Sequence, residues 1–213
     1  MTYQPKDPYY ARAKAAGYRS RAAYKLLELS RRYELIKRGD HVVDLGAWPG
    51  GWLQVAAQLT GPPGRVLGVD LQPITPLGQA YVSTIVGDVR EPQVQEELRA
   101  AAGGRIDVVL SDLAPKLSGV RDRDIARSTE LAEQAFDIAR RLLSAGGRFL
   151  LKVFTAQETD ALAAAARQSF AVVKLTKPEA SRKASSELYL VCKAFKADRP
   201  RAAAAENPEP KSG

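Results

Sequence analysis

The hydrophobic positions of this 213-residue chain fall into short β-branched runs separated by longer stretches with helical spacing. That alternation predicts βα units and a mostly parallel sheet, since strands covered on both faces read as continuous apolar runs. Strands are expected at His41 to Leu45, Arg65 to Asp70, Tyr81 to Val86, Ile106 to Ser111, Arg148 to Phe154, Phe170 to Leu175 and Leu188 to Phe195. Between them, Trp52 to Leu59, Pro92 to Ala102 and Ile125 to Leu143 read as helices. In the last, Leu131, Ala135, Ile138 and Leu142 recur at helical spacing and share one face, and Gly146-Gly147 ends the helix. Upstream, Ser20 to Tyr33 is predicted helical, with Ala23, Leu26, Leu27 and Ser30 toward the sheet and the arginines outward. The expected fold is α/β: a seven-stranded, mostly parallel sheet with helices on both faces.

The length suits one core. Residues 1–38 are expected to form a basic helical, RNA-binding extension, 39–196 the main domain, and 197–213, with Pro200, Pro208, Pro210 and no large apolar side chain, a disordered tail. The net charge of +8 is concentrated at the start: residues 1–38 hold ten basic side chains against Asp7, Glu28 and Glu34. They also hold six of the eight tyrosines. Rings among cations can stack bases while the cations hold phosphates; a solvated basic helix with tyrosines packed at its root is the simpler alternative. A single cysteine, Cys192, excludes an internal disulfide framework, and no apolar run reaches 18 residues. With an N-terminus too polar for a signal peptide, these features indicate a soluble cytoplasmic protein without a membrane partner.

The candidate chemistry sits at strand ends. Asp44-Leu45-Gly46 closes the first strand and Pro49-Gly50-Gly51 leads into a helix, a glycine-rich turn at the carboxyl edge where α/β folds bind nucleotide-like ligands. Glycine there allows close approach of backbone to ligand and positive φ. The spacing is not the dinucleotide pattern, which argues against a nicotinamide oxidoreductase. Asp70, 24 residues after Gly46, is placed to accept from ribose hydroxyls, Asp88 to meet an adenine amino group, and Asp112 to lie beside a methionine portion. Each alone could be a turn or capping aspartate; three in register with the glycine turn point to a ligand. His41 is the sole histidine, so neither a Ser-His-Asp arrangement nor a His/Cys metal cluster is available, and it reads as structural.

The chain resembles the FtsJ/RrmJ (RlmE) family of ribosomal RNA large-subunit 2′-O-methyltransferases from about Lys6 to Lys196. The resemblance rests on Asp7-Pro8-Tyr9-Tyr10, Tyr18 to Leu26, the glycine loop, Ser111 to Pro115, Leu151-Lys152-Val153-Phe154, and Lys177-Pro178 through Ser181-Arg182 to Ser186-Glu187. It implies a Rossmann-like methyltransferase fold and S-adenosylmethionine as donor, held by Gly46, Gly50, Trp52, Asp70, Asp88 and Asp112, with no metal. It implies a catalytic tetrad of Lys25, Asp112, Lys152 and Glu187. Its substrate would be a uridine ribose of 23S rRNA on the large ribosomal subunit, modified by a monomer. Lys152 is then either proton acceptor, if burial and Lys25 discharge it, or the cation that orients the 2′-oxygen, if Asp112 and Glu187 keep it charged. Arg19, Arg21, Arg31, Arg32 and Lys37 are expected to hold RNA phosphates. Trp48 stands where the family has a small residue, and Lys116 where asparagine is usual. Methylation of tRNA or an mRNA cap, and a catalytically silent RNA-binding module, are the alternatives.

Overall fold

The structure is a computed structural model that describes residues 8–115, 118–182 and 185–197. Lys116, the tail beyond Ala197, and Tyr3, Lys6 and Asp7 lie outside the described residues. Seven strands form one sheet: β1 (His41–Leu45), β2 (Arg65–Asp70), β3 (Val82–Val86), β4 (Val108–Ser111), β5 (Arg148–Phe154), β6 (Phe170–Thr176) and β7 (Glu187–Phe195). Their order is β3-β2-β1-β4-β5-β7-β6, parallel except for β7, which is antiparallel to both neighbours.

Six helices flank it: α1 (Pro8–Ala15), α2 (Ala23–Tyr33), α3 (Gly51–Thr60), α4 (Pro92–Ala101), α5 (Arg121–Leu142) and α6 (Gln157–Ser169). The odd positions of β1 and β5, Val43, Leu45, Phe149, Leu151 and Val153, share a core with residues of α4, α5 and α6. The even positions Val42 and Leu150 share the opposite core with α2 and α3. The period of two along each strand divides the covering layers this way.

Three expectations need adjustment. The α6 helix was not anticipated, because alanine dominates it and its buried apolar positions are Leu162, Ala163 and Ala166. In α2 the buried face is Ala23, Leu26, Leu29 and Ser30, with Leu27 only half-buried; Lys25 is buried as well. In α5, Leu131 is half-buried and Ala132, Phe136 and Ala139 complete the buried face. The N-terminal extension, moreover, is built into the domain. Leu26 and Leu29 are fully buried in the same core as Trp52 and Tyr189, and Lys193 Nζ donates to Tyr33 O at 2.8 Å.

Candidate active site

Strand order reverses between β1 and β4, and a parallel sheet opens a crevice at the carboxyl ends of such a pair. A groove of about 590 Å³ lies there, lined among others by Gly46, Trp48, Asp70, Leu71, Asp88 and Asp112. Three of the acids read from the sequence therefore share one groove. Asp70 is set by two backbone donors, Trp48 N–H at 3.0 Å and Gln72 N–H at 2.9 Å. Asp88 accepts the backbone N–H of Arg90 and is embraced by its guanidinium, whose hydrogen bonds hold the carboxyl below its ordinary range.

A fourth carboxylate, Asp44, had been read only as part of the loop. It is 1% exposed and both its oxygens lack a hydrogen-bond partner. Burial first, then the nearby charges of Asp112 and Asp70, push its carboxyl well above the usual range. An unpaired buried acid beside two more is an environment that a cationic ligand relieves. An aspartate inside an apolar strand was the available signal.

The positive φ expected in the turn is present at Gly46 (77°) and Gly50 (105°), whereas the close approach at Gly50 and Gly51 comes from the chain itself. A Cβ on Gly50, whose φ is 105°, would lie 2.7 Å from Arg19 Nη1, and one on Gly51 would lie 2.2 Å from Ser20 Oγ. At these two positions the close approach is made by the N-terminal segment. Arg19 is correspondingly not an outward-facing cation: its guanidinium donates to the carbonyls of Pro49 (3.3 Å), Thr75 (2.6 Å) and Pro76 (3.1 Å), bracing two loops of the groove. Gly46 does face the groove, and there a Cβ would meet Leu113 at 2.4 Å. Trp52 points its side chain away from the groove. Its indole N–H donates to Ala22 O at 2.9 Å and its ring lies 6.1 Å from Tyr189, so any part it takes in ligand binding is confined to backbone.

The four tetrad residues come together from α2, β5, β7 and the end of β4. Lys25 Nζ lies 2.6 Å from Glu187 Oε1. Lys152 Nζ donates to Asp112 O at 2.6 Å and sits 3.2 Å from Asp112 Oδ1. Both lysines are 7% exposed. The register explains the placement: Lys152 pairs with Tyr189 and Phe154 with Glu187 across β5 and β7, so alternate side chains of both strands reach one face.

Tyr189, fully buried, joins the two ion pairs. Its hydroxyl donates to Asp112 Oδ1 at 2.9 Å and accepts from Lys25 at 3.4 Å. Burial, with Asp112 and Glu187 nearby, pushes the phenol well above its usual range, so it stays a donor. Its setting in the apolar run of β7 concealed it. Ser181 Oγ adds a bond to Glu187 Oε1 at 3.0 Å. Burial would raise Glu187, but Lys25 and then Lys152 and Ser181 outweigh it and hold the carboxyl below its ordinary value. His41, at the far edge of β1, bonds the carbonyls of Ala102 and Arg105. Arg21 donates to Ala180 O at 3.1 Å, while Arg31, Arg32 and Lys37 are exposed.

A sheet of this order, with an acid-lined groove at the strand switch and buried lysines beside it, defines a Rossmann-like methyltransferase. Residues 18–195 match the FtsJ-like methyltransferase family, and the chain belongs to it. A relative from Methanothermobacter thermautotrophicus, named ribosomal RNA large subunit methyltransferase E, is 49% identical over 191 residues, 90% of each chain. One of the same name from Coxiella burnetii is 47% identical and covers 89% of this chain and 91% of its own. A crystal structure from Plasmodium falciparum, described as a candidate ribosomal RNA methyltransferase, is 30% identical. It superposes with a TM-score of 0.74 over 84% of this chain and 98% of its own.

Proposed function

We propose that the protein transfers a methyl group from S-adenosylmethionine to the ribose 2′-hydroxyl of a uridine in 23S rRNA, acting in the cytoplasm as a monomer on the large ribosomal subunit. The observation that carries the reading is the pair of buried lysines joined through Asp112, Tyr189 and Glu187 at the edge of the groove. The names of the relatives support the choice of RNA.

The groove fits the donor in its chemistry: the carboxylates of Asp70, Asp88 and Asp112 line it beside Gly46 and the apolar Leu71, Val89 and Leu131, and the buried acid Asp44 adds negative potential from behind Asp70 and Asp112, an environment that suits a sulfonium. When bound, the donor supplies a methyl group already activated for transfer. Asp70 would accept from the ribose hydroxyls and Asp88 from the adenine amino group, with Gly46 and the backbone of Gly50 and Trp52 closing the loop side.

Catalysis then reduces to aligning the 2′-oxygen with the methyl group and removing one proton. Two acceptors on Asp112 fix Lys152 Nζ and leave its third position for the 2′-oxygen. There it either orients the oxygen as a cation or takes the proton as an amine. Lys25 and Glu187 set the charge around it.

The test is transfer of labelled methyl from S-adenosylmethionine to large subunits of a methylation-deficient source, to free 23S rRNA and to tRNA. Lys152→Ala is expected to lower transfer by roughly 10²- to 10⁴-fold. Lys152→Arg keeps a cation and separates the two roles: retained transfer selects orientation, loss selects proton acceptance. No transfer to any RNA, or full activity of Lys152→Ala, overturns the proposal.

A further inference from the structure

We propose that a second pocket, between α1, α2 and the turn at Glu179-Ala180, is a subsite for one unpaired nucleotide of the RNA substrate. It rests on the RNA reading above. The pocket encloses about 720 Å³ and is lined by Tyr9, Arg12, Tyr24, Arg31, Arg32 and Ala180 together with further α2 residues.

Arg12 makes the platform. Its guanidinium lies 5.5 Å from the Tyr9 ring centroid and 5.0 Å from that of Tyr24, while the two rings are 5.7 Å apart. A guanidinium packed against two adjoining rings is a charged plane held in place, and unpaired bases of RNA stack on such planes. Arg31 and Arg32 are exposed at the rim and supply the phosphate contacts. Arg32 lies 4.0 Å from Glu28 Oε1, at the outer limit of an ion pair. Glu28 is engaged by the backbone N–H groups of Glu179 and Ala180 at 3.0 and 3.3 Å, and Glu179 is exposed.

The pocket is tied to the reacting centre through α2 and the same turn. Tyr24 and Arg31 lie two turns apart on one stripe of α2, and Lys25, next along the helix, points into the tetrad. The far wall, Ala180, precedes Ser181, which bonds Glu187. Pocket and tetrad are thus about one helix width apart, on the order of 10 Å. The occupant is therefore a neighbour of the methylated nucleotide.

The experiment measures KM for the RNA substrate, kcat, and anisotropy of a labelled single-stranded RNA oligomer with the full chain. Arg12→Ala is expected to raise KM and weaken oligomer binding by about tenfold, with the loss in KM rather than kcat and with affinity for S-adenosylhomocysteine retained. Arg12→Lys keeps the charge but not the plane and is expected to lose as much. Wild-type binding by Arg12→Lys, or an unchanged KM in Arg12→Ala, overturns the subsite. Failure of the wild-type protein to methylate any RNA would overturn the function proposed above instead, while oligomer binding still reports on the pocket.

Discussion

On the groove side of the site the acids at the ends of β2 and β3 sit in short turns: Asp70 accepts from the N–H of Gln72 and Asp88 from that of Arg90, each two residues on, and Trp48 N–H at the adjacent strand end adds a bond to Asp70. On the lysine side the ion pairs and the tyrosine bond span the chain, joining Lys25 to Glu187, Lys152 to Asp112 and Tyr189 to Asp112, while Ser181, six residues from Glu187, adds a local bond. The first half is a set of turns that strand ends produce locally. The second exists only once β7 has been inserted antiparallel beside β5 and α2 has docked on both. The lysine side is therefore the part whose removal should unsettle the whole domain.

The largest effect should come from breaking its buried ion pair. Lys25→Met leaves Glu187 in a pocket where its side chain is 13% exposed and its nearest cation is gone. Removing one partner of a buried pair costs about 3–5 kcal/mol, because the other charge stays desolvated, and denaturant unfolding would measure it. The pH dependence carries the same signature. Glu187 is held below its ordinary glutamate value of 4.5 when folded, so its contribution is present above that value and is lost as pH falls through the lower folded one. Lys25→Met should flatten that acid loss. Equal acid sensitivity of wild type and variant would show that Lys25 does not hold Glu187 ionised.

A smaller effect is expected at Gly51, where the groove meets the N-terminal segment. An alanine at the first position of a helix would ordinarily be neutral or helpful. Here its Cβ would lie 2.2 Å from Ser20 Oγ and 3.2 Å from Ser20 N. Gly51→Ala should thus destabilise by about 1–3 kcal/mol, and Ser20→Gly in the same chain should recover part of it. If Gly51→Ala melts like wild type but loses donor affinity, the glycine is there for the ligand, and the N-terminal segment is less firmly joined to the groove than its contacts indicate.

This contrast also explains what could be read from the chain. The sheet was legible because short apolar runs such as Val42-Val43 and Phe149-Leu150-Leu151 leave a local imprint, and so do acids at strand ends. The tetrad leaves none. Lys152 stands out as a cation in an apolar run, but nothing local links it to Lys25, and those four residues were named through family resemblance. Tyr189 looks like a core aromatic, and its role depends on a register that only pairing supplies. Arg19 is the reverse case, a basic residue whose bonding nothing local announces. The segment around it carries Arg12, Lys14 and Arg21, whereas its partners are carbonyls 30 or more residues away. The α6 helix escaped because its buried stripe is mostly alanine, which carries little hydrophobic contrast.

Trp48 tests whether the two halves are separable at all. Its side chain is 51% exposed on the groove rim, where it is the one aromatic ring among the described lining residues, and Trp52 is buried against Tyr189 on the lysine side. The hydrogen bond from Trp48 to Asp70 is made by backbone and survives substitution. Trp48→Ala should consequently leave stability within about 0.5 kcal/mol of wild type, while weakening donor affinity several-fold through lost contact area. The chain holds only these two tryptophans, so intrinsic fluorescence reports on each half. Adding S-adenosylhomocysteine should change the emission of the wild-type protein and leave that of Trp48→Phe unaltered. A change that persists in Trp48→Phe would have to come from Trp52, and would mean that filling the groove moves α3 against Tyr189, so that the locally built half drives the half assembled at long range.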